Sequence, residues 1–508
     1  MIIKDGICYS TVNTTLYMGW GITVKRDSRI HYLSLRIKCV ALVASVLMSA
    51  FVSTGCFELK KPKNVKSPDQ TKPTVYEPEE TTYPSETPTP TASPTPDPKT
   101  LVVMDAQEHG LEEADLHGKY DFYKKFAETL EGNEKITILK PYFYAVFPLV
   151  SEYIMEKDEE HFLKTLKELN FKYNHNKGAD GIYDQAKNVI EIDPGLLSVR
   201  GQDAFDSVAF HETIHFIDTH IEGNSTYKQV AYTKTGTFVL YNTVMNNEKS
   251  QDLKKVVQSF MLEGCCEKYN AEYFCHAALS YPPRVGFVNG LEYIFGSDKI
   301  KKMYFSGETD MNLVRVMQEY EFSNEEILKF FNTTKFGADK NLKAKDCMDP
   351  REVLIRLYNS VKGTDYKEDP AFCKILASMD DKNLNKIPST YRKEISKLKG
   401  FDKNELTDFW SYATSKMGGD AKTTIGYYGS PVPIMINGEL KVYFILAPAG
   451  KQITDYQVAV YDYDFATKEF KGVEIYDSWT PVGGAQDTSE EEAQNERAIE
   501  AHESDEVA

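Results

Sequence analysis

Five consecutive residues, His211-Glu212-Thr213-Ile214-His215, constrain what this chain can fold into more than any other feature. Side chains four apart on an α-helix stand one above the other, so a helical backbone here aims both imidazoles at one point and keeps the carboxylate between them close by. That is the HExxH arrangement of a catalytic zinc site, with two neutral imidazoles for the metal and a Glu to deprotonate the activated water. The neighbouring residues favour this over a solvated helix face. Phe205, Val208, Ala209, Phe210, Ile214 and Ile217 supply apolar positions at helical spacing, so the motif is predicted to lie in a largely buried helix. Ser198 to Gln202 reads as the loop before it, with Asp203 as the cap and Asp206 three residues on. Upstream, Asn188-Val189-Ile190-Glu191-Ile192-Asp193 alternates apolar with polar residues and stops at Pro194, which reads as a short strand. A strand beside the metal helix offers an extended peptide backbone something to pair with.

A tetrahedral catalytic zinc needs a third protein ligand and one open position. His220 lies five residues after His215, but the metzincin pattern HExxHxxGxxH requires glycine at 218 and histidine at 221, where this chain has Asp218 and Ile221. The stretch Phe260-Met261-Leu262-Glu263-Gly264-Cys265-Cys266-Glu267-Lys268-Tyr269 is apolar at helical spacing, within a helix predicted over Gln251 to Leu279. With its Glu-Gly pair and a second Glu four residues after the first, it resembles the second metal helix of the gluzincins, zinc peptidases in which HExxH is completed by the Glu of an "EG…E" segment. The resemblance runs from about Asn188 to Tyr304 and implies Glu263 as the third zinc ligand. Gly264 inside a helix costs about 1 kcal/mol relative to Ala and marks a close backbone approach.

Glu267, one turn on, reads either as an outer-shell acceptor or as a surface charge. Asp218 shares the helical face of His211 and His215 and reads either as an acceptor for an imidazole N–H or as a C-terminal turn residue. His220 and His276 read as surface or packing residues. The resemblance implies an α+β fold, with a zincin-like catalytic domain in which a small sheet and the HExxH helix precede a mainly helical half. It also implies amide hydrolysis of peptides or proteins by a zinc-activated water, with Glu212 as general base and then as proton donor to the leaving amine. Such sites add a Tyr or His donor to the oxyanion. Of Tyr269, Tyr273, His276, Tyr281 and Arg284, the candidate is Tyr281, just past the predicted helix end and before Pro282-Pro283.

At the front, Arg36 and Lys38 precede an apolar run from Cys39 to Val52, of signal-peptide length and short for a bilayer span, which enters Ser53-Thr54-Gly55-Cys56. This resembles a bacterial lipoprotein signal, which implies lipidation of Cys56 and a chain held outside the cytoplasm on the membrane; an uncleaved anchor is the alternative. Residues 1 to 35 lack an apolar core, so translation is expected to start later, at Met18 or at a non-Met codon. The Pro- and Thr-rich stretch from 57 to 99 favours extended polyproline II at about 3.1 Å per residue, a tether on the order of 100 Å long.

The catalytic domain is expected over 100–400, with helices at Tyr120 to Leu130 and His161 to Leu169 and mainly helix over 286–399. Strands at Glu439 to Leu446, Tyr456 to Tyr461 and Gly472 to Tyr476 suggest a small β-rich module over 401–480. The tail over 481–508 carries nine acidic residues against Arg497, about half of the net charge of −17, and reads as disordered. No basic stripe points to nucleic acid as a partner. Of eight Cys, five lie after Cys56, and buried thiols or one disulfide are expected. Two other functional classes stay open: a degenerate zincin serving as a surface binding or sensory lipoprotein, and a solute-binding or adhesion lipoprotein in which HExxH is accidental. The intact His211, Glu212 and His215 weigh against the first, and the Glu263-Gly264 pair weighs against the second.

Overall fold

The computed structural model describes residues 2–4, 7–9, 98–175, 179–221, 228–242, 253–257, 260–274, 282–419, 421–448 and 456–477, and the chain forms two compact units, Met1–Pro94 and Thr95–Ala508. The lipoprotein signal with Cys56, nearly all of the tether, His276, Tyr281 and the acidic tail lie outside the described residues. In the first unit, β1 (Ile2–Lys4) pairs antiparallel with β2 (Ile7–Tyr9). The second unit is α+β. Among the described residues no helix is long and apolar enough to cross a membrane.

Four helices open the second unit: α1 (Pro98–Glu108), α2 (Tyr120–Glu131), α3 (Lys140–Glu156) and α4 (Glu159–Glu168). On α2, Phe122, Tyr123, Phe126, Ala127 and Leu130 recur at helical spacing and are all buried, which is why this stretch is a helix and which face it covers. The later helices of this group present an aromatic wall to the segment that carries His211 and His215. Phe143 of α3 and Phe162 of α4 meet Phe216 at ring-centroid distances of 5.6 and 5.8 Å. A three-stranded sheet comes next: β3 (Asn170–Tyr173), β4 (Gly181–Asp184) and β5 (Val189–Ile192), ordered β3-β5-β4. The strand expected at 188–193 is present, but it runs parallel to β3 and antiparallel to β4 in the centre of the sheet. Its backbone groups are therefore already paired on both sides; among the described residues β3 and β4 are the edge strands of this sheet, and β4 is the edge that packs on the helix carrying His211.

The loop expected over 198–202 shrinks to one residue. Helix α5 (Gly195–Arg200) runs directly to Gly201, whose φ of +86° breaks the backbone before α6 (Gln202–His220) begins. Asp206 ties the start of this helix to an earlier one. It is buried and accepts from the Tyr142 hydroxyl at 2.7 Å and from Gln202 Nε2 at 2.8 Å, which ties α6 to α3. A second sheet, ordered β7-β6-β8, holds β6 (Lys228–Thr233), β7 (Phe238–Asn242) and β8 (Leu253–Val256). The helix expected from Gln251 starts only at Met261, because Leu253–Val256 pairs with β6 as a strand.

Helix α7 (Met261–Phe274) packs on α8 (Pro282–Phe295) with backbone close to backbone. A Cβ on Gly264 would lie 2.7 Å from the Arg284 carbonyl oxygen and 3.0 Å from Val288 Cγ2. Gly264→Ala is expected to destabilise the protein by about 1–3 kcal/mol, as overpacking against rigid backbone does. An unchanged urea midpoint would show that the helices can separate freely.

Beyond α8 lie α9 (Ser297–Tyr304), α10 (Thr309–Glu319), α11 (Asn324–Asn332), α12 (Pro350–Lys362), α13 (Pro370–Ser378) and α14 (Arg392–Ile395), the mainly helical stretch that was expected. Then α15 (Lys403–Met417) and α16 (Ala421–Thr424) lead into a four-stranded antiparallel sheet, β9 (Ile425–Ile436), β10 (Glu439–Pro448), β11 (Gln457–Asp464) and β12 (Glu469–Asp477). Strand β9 was not expected, since Gly426, Gly429, Pro431 and Pro433 interrupt its pattern; it lies at the sheet edge, where Pro is tolerated.

One face of this sheet packs on Phe409 and Ala413 of α15, and the other carries Ile434, Tyr443 and Val458 against Ala271 of α7. The β9–β10 turn is fastened to α7 as well: the Asn437 backbone N–H donates to Glu272 at 2.9 Å. Glu272 in turn shares the buried Lys268 ammonium with Glu292 of α8, at 2.5 and 2.9 Å. Helix α7 is thus clamped between α8 and the C-terminal sheet.

Candidate metal centre

Three turns into α6, His211 and His215 put their Nε2 atoms 2.9 Å apart with the rings nearly perpendicular. Helix α7 brings Glu263 to the same point, its Oε2 3.1 Å from His211 Nε2 and 3.8 Å from His215 Nε2. Donors bonded to one tetrahedral zinc at about 2.0–2.1 Å stand roughly 3.3 Å from each other. The three side chains therefore fit a single ion of that size, with one position left over for water or substrate.

The same groups shift one another's proton affinities. Burial alone would lower His211, but the hydrogen bond with Glu263 and the charges of Glu212 and Glu267 outweigh it and raise its pKa to about 9. His215 is raised well above the ordinary value, with Cys266 and Glu263 overcoming its burial. Glu263 is likewise opposed by burial, yet the two imidazoles hold it well below the usual carboxylate range. A metal needs these imidazoles neutral, so its binding competes with protons at this site.

Glu212 is 6% exposed and lies against the edge strand. A Cβ on Gly181 of β4 would meet its Oε1 at 3.1 Å and Val208 Cγ1 at 2.4 Å, so only glycine lets the strand pass this close to α6. Gly181 is a site residue the sequence reading missed; a glycine opening a short strand was the signal.

Glu267 is buried and bears on His211, which removes the surface-charge reading. Asn270 donates to Glu267 Oε2 at 3.4 Å and to the Ser207 hydroxyl of α6 at 2.8 Å, which links this carboxylate to α6. Asp218 is also buried, and its charge acts on Tyr304 and Cys265. The group against His215 is Cys266, whose Sγ lies 3.5 Å from Nδ1, 3.7 Å from Nε2 and 3.0 Å from the Tyr304 hydroxyl. Sequence reading treated Cys266 as an ordinary buried thiol. Cys265, Cys266, Cys347 and Cys373 are all free thiols.

His220 is a packing residue. Its ring lies 5.0 Å from Phe216, its Nε2 meets the Tyr183 hydroxyl at 2.5 Å, and burial depresses its pKa to about 4. Tyr269 packs on Tyr304 and Phe305 in the core. Compared with protein-family models, curated proteins and solved structures, the chain matches none.

Proposed function

We propose that this chain is a zinc metallopeptidase of the gluzincin type, tethered outside the membrane through a lipidated Cys56. The observation that carries the reading is the convergence of His211, His215 and Glu263 from two helices onto one point at donor spacings that suit one zinc. Zinc bound there would activate a water and polarise the substrate carbonyl. Glu212, buried beside the donors, receives the water's proton and passes it to the leaving nitrogen. Strand β4, an edge strand among the described residues, runs past Glu212 at Gly181 and would offer backbone N–H and C=O groups to an extended peptide, setting the scissile bond against the base. The buried Glu267 charge acts on His211 and favours a hydrogen-bond donor role for its ring.

The test is metal analysis of the full chain together with hydrolysis of casein and a mixed-peptide library, before and after chelation. About one zinc per chain is expected, with cleavage lost on chelation and recovered on adding zinc, and with metal and cleavage both lost in His211→Ala. Full zinc content in His211→Ala, or cleavage indifferent to chelation, defeats the proposal. Zinc without cleavage of any peptide would instead mark a binding or sensory lipoprotein.

A further inference from the structure

Cys266 stands three residues after Glu263 on α7, hence on the same helical face and one turn deeper. His211, His215 and Cys266 each offer a donor atom, and the three lie within 4.8 Å of one another. The spacing has a chemical meaning. A thiolate binds zinc-like ions at about 2.3 Å and an imidazole at about 2.0–2.1 Å, so the two stand roughly 3.5–3.6 Å apart when they share one ion. Cys266 Sγ is 3.7 Å from His215 Nε2. It is also 3.5 Å from Nδ1, so the metal-free thiol leans on the ring and is not committed to either nitrogen. The Tyr304 hydroxyl also lies 3.0 Å from Sγ, and the thiol is fully buried.

We propose, on the basis of the metal site above, that Cys266 is a latent fourth protein ligand, and that a thiophilic divalent ion is enclosed by His211, His215, Glu263 and Cys266. Nothing is oxidised or reduced in this step. The Cys266 S–H bond breaks, a sulfur–metal bond forms, the proton passes to a water, and the ion's own water leaves. Four protein donors make a closed site of the structural kind, without the open position that catalysis needs. Soft ions favour sulfur more strongly than zinc does, so they hold the closed form, whereas zinc leaves it for the open one when substrate competes. The chain is therefore predicted to be silenced by cadmium through its own thiol.

The test loads the full chain with cobalt(II), whose visible ligand-field bands report the ion and whose near-ultraviolet thiolate charge-transfer band reports sulfur. Both are expected in the unaltered chain. Cys266→Ser is expected to keep the visible bands and lose the thiolate band, while Cys265→Ser keeps both. Cadmium affinity in Cys266→Ser is expected to fall by more than about 100-fold, beyond the roughly 10- to 100-fold span of an outer-shell partner. Visible bands without a thiolate band in the unaltered chain, a thiolate band that survives Cys266→Ser, or a smaller cadmium effect would overturn Cys266 ligation and leave the metal site standing. Absence of any cobalt binding that depends on His211 would overturn the metal site itself, and this proposal with it.

Discussion

Glu212→Gln is expected to keep its full complement of zinc and to lose turnover by about 10²–10⁴-fold, the span attributed to a positioned general acid–base group. The substitution is nearly isosteric at a buried position beside Gly181, so packing between α6 and β4 is preserved. The three donors are untouched, because none of their mutual contacts involves Glu212. One electrostatic consequence works in favour of metal retention. The Glu212 charge helps to raise His211 toward a pKa of about 9, so its removal makes the neutral, ligating imidazole easier to reach at neutral pH. Metal content and kcat on a cleavable peptide decide the matter, and a variant that hydrolyses at the normal rate would require another base.

The second large effect is an ordering. Glu263→Ala removes the donor that touches both imidazoles, so zinc affinity is expected to drop by more than about 100-fold. Glu267→Ala takes away a charge that acts on His211 without removing a donor, and is expected to fall in the roughly 10- to 100-fold range of outer-shell partners. His220→Ala is expected to leave zinc affinity within a small factor, because its Nε2 is engaged by Tyr183 and its ring is packed on Phe216. It should instead cost on the order of 2 kcal/mol of stability through lost packing. Zinc titration of the three variants reads the order directly. A metal lost in His220→Ala and kept in Glu263→Ala would mean that the site is built around three histidines.

Several of these features were legible before any fold was known. Repeats of three and four residues are a property of the helix itself, so His211, Glu212 and His215 fall on one side of α6 whatever surrounds them. The same local rule predicted α2 and α4 to within a few residues, and alternation predicted β5, β10, β11 and β12. Gly264 foretold a close approach because a glycine in a helix is costly unless something occupies the space of its missing side chain. Where the pattern was broken, reading failed: the glycines and prolines of β9 hid a strand that its edge position permits, and β8 was absorbed into a helix because a four-residue strand carries too little pattern to outweigh its neighbours.

The sequence by itself determined that His211, Glu212 and His215 share one side of α6, that Glu263 sits on an apolar helix, and the α+β class. Only the tertiary structure decided that β4, not β5, is the edge strand beside Glu212 among the described residues, that Glu267 is buried with its charge acting on His211, that Cys266 rests against His215, and that the C-terminal sheet grips α7 through Asn437 and Glu272. The division follows from range. Spacing along one element is set by backbone geometry between residues a turn apart. Which faces meet, which strand ends a sheet and which charge is buried depend on apolar surface contributed by segments far apart in the chain, and no local pattern records that sum.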